Sequence, residues 1–130
     1  MPHTHSNLIE VKRISGKGRG VFARDAIPKG SVIERVPLIE LPIDDVFGGN
    51  QDTKLADYVF KWEKNTVVIA LGYGSLYNHS FRPNARFYGK GKLTQVFKAI
   101  RNIEAGEEIT INYNGNPKNK TEMHFDVLDK

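Results

Sequence analysis

Apolar and polar residues alternate with a period of two through much of the chain, the spacing that turns one face of a β-strand toward a core. "LIEVKRI", Leu8 to Ile14, shows it first. "GVFA" follows a glycine-rich turn. "SVIERVPLIEL", Ser31 to Leu41, is a long β-rich run in which Pro37 predicts an edge or a bulge. "TVVIALG", "KLTQVFKAI" and "EEITINY" complete the predicted strands. Helical spacing occurs only in "TKLADYVFKW", Thr53 to Trp62, through Leu55, Val59 and Trp62. Tyr58-Val59-Phe60 is also good strand material, so helix and strand both stay open there. The pattern predicts a mainly β chain with little helix.

One internal echo runs through this pattern. "IPKGSVI", Ile27 to Ile33, and "IEAGEEI", Ile103 to Ile109, share the frame I-x-x-G-x-x-I. Each predicts a glycine turn feeding a strand. Two copies fall short of a stacked repeat array, so they belong to one small domain. The tail, 115–130, is polar and turn-rich, yet Met123, Phe125, Val127 and Leu128 give it apolar groups able to dock.

Composition narrows the class. A length of 130 residues fits one domain, with a core expected over about 8–114. The chain is 39% hydrophobic and 26% charged, ordinary for a globular protein. Nineteen Lys and Arg against fifteen Asp and Glu leave +4, with the signs interspersed. No basic run exceeds Lys12-Arg13, so direct nucleic-acid binding is not expected. The lack of cysteine excludes disulfides, thiolate chemistry and any cysteine-built zinc site. His3, His5, His79 and His124 form no i, i+4 pair, so no metal site is expected. "MPHTHSNLIEVKR" is not patterned as a signal peptide, and no apolar run approaches the roughly 20 residues of a membrane span. The expected location is the cytosol, with no membrane partner, or a nucleus or host chromatin if the source is eukaryotic, viral or a secreted effector.

Three stretches carry candidate chemistry. "GKGRGVFA", Gly16 to Ala23, is not a dinucleotide fingerprint, because its glycines fall at every second position and Pro28-Lys29-Gly30 interrupts any following helix. It is either a plain turn between strands or a loop whose bare backbone can approach a ligand. "YNHSFRPNARF", Tyr77 to Phe87, packs Asn78, His79, Ser80, Pro83 and Asn84 into a turn-like run among aromatics and arginines. Adjacent His79 and Ser80 point different ways on an extended chain, which argues against a hydrolase triad. In "GEEITINY", Ile109, Ile111 and Tyr113 share one strand face and Glu108, Thr110 and Asn112 the other. Tyr113 then ends an apolar row, as a core tyrosine or as a phenol at the floor of a channel.

Together and in order, "GKGRGVFA", "NHSFRPNARF" and "GEEITINY" resemble the SET domain, the protein-lysine methyltransferase fold. "LADYVFKW" and "ALGYGSLYNHS" are similar to the minimal SET-only forms of viruses and bacteria. The resemblance runs from about Val11 to about Asn114. It implies a β-clip architecture of small curved sheets with a C-terminal pseudoknot. It implies S-adenosyl-L-methionine as cofactor, held by Lys17, Gly18, Arg19, Gly20, Tyr58, Asn78, His79 and Tyr113, with His79 serving through its backbone and its packing. Tyr113 would orient the substrate amine, and Tyr58 would line the site with it. Phe87 and Tyr73 are implied in the substrate channel, Phe87 leaving room for a second or third methyl. With no cysteine-rich segment after the domain, Phe125 is proposed to close the site, against the alternative that it only docks on the core.

The chemistry implied needs no metal and no covalent intermediate, only in-line positioning and a neutral amine. Neutralising a free lysine of pKa about 10.4 at pH 7 costs about 4.6 kcal/mol. A dry channel and a nearby sulfonium both lower that cost. The partner would be a lysine-containing protein, such as a histone tail, read by the acidic residues Asp44, Asp45, Asp52 and Asp57, and two copies of the chain would pair. An inactive SET-like module that binds cofactor or protein, and an unrelated small β domain built on I-x-x-G turns, are the alternatives.

Overall fold

The computed structural model describes residues 6–16, 18–47 and 54–114. β1 (Ile9–Ile14) and β2 (Gly18–Ala23) form a hairpin whose register sets Arg13 opposite Arg19. β3 (Val32–Pro42) is the longest strand, followed by a short helix, α1 (Asp44–Phe47). A 3₁₀ turn over Lys54–Tyr58 runs into β4 (Val59–Lys61), so the segment that reads both ways in sequence is a helical turn and then a strand. β5 (Thr66–Ala70), β6 (Asn78–His79), β7 (Ala85–Gly89), β8 (Thr94–Ala99) and β9 (Glu108–Ile111) complete the order. The chain is mainly β, arranged as a four-stranded sheet β1-β2-β9-β6 and a five-stranded sheet β4-β5-β3-β8-β7.

One apolar cluster joins the sheets. Ile9, Val21, Ile109 and Ile111 enter it from the first, and Phe60, Val68 and Phe97 from the second. β9 and the residue after it are buried on both faces: Thr110 and Asn112 are enclosed along with Ile109 and Ile111. Alternation there therefore marks chemistry rather than solvent.

Pro37 needs a correction. It lies in the central strand of its sheet, not on an edge, and the bulge falls elsewhere. β3 pairs with β8 from Val32 to Pro37 and with β5 from Leu38 to Pro42. Pro37 sits where the ladder passes from one neighbour to the other, a place where a missing N–H does least harm. The bulge lies between Val32 and Glu34 and leaves Ile33 without a register partner. Beyond it Glu34, Val36 and Leu38 form an inward row.

The two I-x-x-G-x-x-I segments pair with each other. Ile27 and Ile103 exchange both backbone hydrogen bonds, each 2.8 Å. The Gly30 N–H donates to the Ala99 carbonyl and the Ala99 N–H to the Ser31 carbonyl. In the other copy Gly106 donates to Ala23 and Ala23 to Glu107. The matching pattern is a local two-fold, and each turn depends on a left-handed glycine, Gly30 at φ 89° and Gly106 at φ 85°.

Candidate active site

The polar run after Tyr77 builds a junction. Asn78 and His79 form β6, which pairs in parallel with Thr110 and Ile111 of β9. The Ser80 N–H continues the pairing to the Ile111 carbonyl at 2.9 Å. Asn84 is buried and brackets the same strand: its Oδ1 accepts the Thr110 N–H at 2.9 Å and its Nδ2 donates to the Glu108 carbonyl at 2.8 Å. Asn78 donates from Nδ2 to the Arg19 carbonyl at 2.9 Å and to Glu108 Oε2 at 2.8 Å, tying β2, β6 and β9 together. Gly20 is required there by close approach. A Cβ would fall 2.5 Å from Glu108 Oε2, 2.6 Å from Ile14 Cδ1 and 2.8 Å from Asn78 Nδ2.

Two hollows open beside this junction. The larger, about 420 Å³, is lined by Arg13, Gly18, Arg19, Asp57, Tyr58, Ser75, Leu76, Asn78 and Tyr113. The smaller, about 180 Å³, is lined by Ala56, Asp57, Tyr58, Val59, Phe60, Lys61, Ser75, Tyr77 and Tyr113. Asp57, Tyr58, Ser75 and Tyr113 belong to both. A third hollow, about 590 Å³ and lined by residues that include Glu40, Trp62 and Leu93, shares no residue with them.

Tyr113 stands in the turn just past β9 and is fixed from two directions. Its N–H donates to His79 Nδ1 at 2.9 Å, and its hydroxyl donates to the Tyr77 carbonyl. Its ring meets Phe60 and His79 edge to face, with centroids 6.5 and 5.2 Å away. Burial raises its pKa, with the charges of Glu108, Tyr58 and Asp57 adding to the effect. The phenol therefore stays protonated. His79 must be unprotonated at Nδ1 to accept the Tyr113 bond, and burial lowers its pKa accordingly.

Of the residues singled out from sequence, Gly18, Arg19 and Asn78 line the larger hollow, and Tyr58 and Tyr113 line both. Gly20 and His79 stand behind the wall. Phe87 packs on Phe60 at 4.7 Å between centroids but lines neither hollow. Tyr73 is exposed and lines neither, although its backbone N–H bonds Glu34. Lys17, Asp52 and Phe125 lie outside the described residues. The acidic group divides: Asp44 and Asp45 open α1 at the surface, whereas Asp57 reaches both hollows. Sequence reasoning missed Arg13, Ser75 and Leu76 as lining residues and the side-chain bond of His79. Arg13 was within reach, because a hairpin whose register is centred on Gly16 sets it opposite Arg19. The others depend on loop geometry that carries no periodic signal.

Comparison with known proteins agrees with this geometry. Residues 18–114 match the SET domain family model. The chain is 31% identical over 106 residues to a Schizosaccharomyces pombe histone-lysine N-methyltransferase specific for H3 lysine 37, covering 81% of this chain and 72% of that protein. It is 30% identical to a Danio rerio N-lysine methyltransferase over 92% of this chain, but spans only 40% of that relative's length. Among solved structures, a Plasmodium falciparum chain described as a candidate histone methyltransferase superposes with a TM-score of 0.68 at 31% identity, covering 85% of this chain and 94% of that one. The chain belongs to the SET-domain family of protein-lysine methyltransferases.

Proposed function

We infer that this protein transfers a methyl group from S-adenosyl-L-methionine to the ε-amine of a lysine in a protein substrate. The observation that carries the reading is the pair of hollows that meet at Tyr58 and Tyr113, so that a donor and an acceptor can reach one point from separate chambers. The larger chamber fits the donor. Its 420 Å³ falls within the roughly 300–1,000 Å³ of small-molecule sites. Arg13 and Arg19 suit a carboxylate, Asp57 suits a cation or a hydroxyl, and Gly18 leaves bare backbone at the wall. Bound there, S-adenosyl-L-methionine supplies an electrophilic methyl group on a sulfonium.

The protein's own residues supply position. Val59, Phe60 and Tyr77 wall the smaller chamber, where loss of water favours the neutral amine. The Tyr113 hydroxyl donates to the Tyr77 carbonyl, and a phenol oxygen that donates its proton can itself accept an amine N–H. A phenol held protonated orients the amine rather than deprotonating it. Phe87 touches Phe60 and not the chamber, so its influence on the degree of methylation passes through Phe60. A basic histone tail is the proposed substrate class, supported by the histone specificity of the fission-yeast relative and by the acidic Asp57 among the residues lining the chamber. Pairing of two copies is supported by exposed Ile39 and Leu71 on the outer side of the β3–β5 half-sheet.

The test is transfer of labelled methyl from S-adenosyl-L-methionine to recombinant histones, read by mass spectrometry. Wild type should label lysine, and Tyr113→Phe should lower kcat on the order of a hundredfold, the effect of losing one preorganised polar contact. Equal labelling by both proteins would refute the role of Tyr113. No labelling of histones by wild type would refute the histone substrate, and no labelling of a whole-cell protein extract would refute the assigned reaction.

A further inference from the structure

The wall of the site rests on a buried carboxylate that touches neither chamber. Glu34 is only 6% exposed, carried inward by the bulge in β3. Burying an ionised carboxylate is costly unless hydrogen bonds compensate it. Glu34 Oε1 accepts the Tyr77 hydroxyl at 2.8 Å, and Oε2 accepts the Tyr73 backbone N–H at 2.9 Å. One carboxylate thus holds both ends of the segment Tyr73 to Tyr77. Within it the Leu76 N–H donates to the Tyr73 carbonyl, and Ser75 Oγ accepts the Ala70 N–H at 3.0 Å. Gly72 belongs to the same clamp, because a Cβ there would stand 2.6 Å from Glu34 Oε2 and 3.0 Å from Val36 Cγ1. The Tyr77 ring is enclosed and stacks on Phe97, with centroids 4.5 Å apart and planes 26° apart.

This clamp ends at the reaction centre. Ser75 and Leu76 line the larger chamber, and the Tyr77 carbonyl accepts the Tyr113 hydroxyl. We propose that Glu34 and Tyr77 are positioning residues for methyl transfer: the carboxylate fixes Tyr77, whose carbonyl sets the direction of the Tyr113 O–H and so aims its lone pairs at the incoming amine. The proposal rests on the methyltransferase reading. Stacking on Phe97 alone would be satisfied by phenylalanine, so the hydroxyl-to-carboxylate bond is the part that carries direction as well as packing.

A double-mutant cycle separates aim from support. Tyr77→Phe keeps the stacked ring and removes the bond, and Glu34→Gln removes the charge. Each should lower kcat about tenfold while the peptide KM moves less than about threefold. In a Tyr113→Phe background, adding Tyr77→Phe should change kcat less than about twofold, because nothing is left to aim. Tyrosine labelled with carbon-13 at Cζ gives a second readout. The Tyr113 signal should shift in Tyr77→Phe and in Glu34→Gln under conditions where both remain folded. Equal kcat losses in both backgrounds, an undiminished kcat in Tyr77→Phe, or an unmoved Tyr113 signal would each overturn the proposal while leaving the assigned reaction standing. A wild-type protein that transfers no methyl group would overturn both. Should Tyr77→Phe fail to fold, Glu34→Gln carries the same cycle.

Discussion

His79 shows how one side chain joins stability to the site. From sequence it is a backbone contributor and a packing element. In the fold its Nδ1 is the acceptor for the N–H of Tyr113. That bond needs the neutral ring, and burial holds the pKa below its ordinary value of 6.5. The unfolded chain therefore takes up the proton first as pH falls. Stability is fully present above about pH 6.5 and declines below it until the lowered folded-state pKa is reached. The urea midpoint of wild type should be lower at pH 5.5 than at pH 7.5, and His79→Gln should flatten that difference. An equal pH dependence in the two proteins would place the titration elsewhere. Tyr113, Tyr58, Asn78, Gly18 and Arg19, singled out through the family resemblance, all line the larger hollow. The His79 bond was not legible in the sequence, because it joins residues 34 apart whose approach depends on the parallel pairing of β6 with β9.

At the scale of elements, most strands were legible because a period of two over a half-buried surface leaves a plain trace. β7 was missed: it begins inside a run whose Pro83 and Asn84 read as a turn, and the turn and the strand are both present. An edge or a bulge was expected at Pro37; the strand is central and its bulge lies at Ile33, since bulges answer to pairing on both sides of a strand rather than to one residue type. Close approach makes a sharper prediction. Gly20→Ala forces a methyl against Asn78 and Glu108, whose side chains are bonded to each other at 2.8 Å. It should cost about 1–3 kcal/mol, as overpacking does, and weaken binding of the proposed donor, S-adenosyl-L-methionine. Urea unfolding and calorimetry measure the two effects. Unchanged stability with unchanged affinity would mean that the junction yields freely.

At the scale of the whole molecule, the outer side of β3 and β5 presents Ile39 in register with Ile69. Ile39 is 45% exposed. If two copies pair through this row, Ile39→Asp should shift sedimentation from dimer to monomer and make the urea midpoint independent of protein concentration. A monomeric wild type would remove the pairing proposal. The sequence by itself determined the β character of the chain, the glycine turns at Gly30 and Gly106, and the three motifs that carry the family, because each is written in local periodicity, backbone freedom or ordered residue type. Only the tertiary structure decided that the two I-x-x-G turns bond each other, that Glu34 is drawn inside to hold Tyr77, and that Arg13, Asp57 and Ser75 meet around Tyr113. These are contacts between distant segments. Their geometry depends on a bulge, a change of strand partner and a parallel pairing, none of which any single stretch of residues encodes.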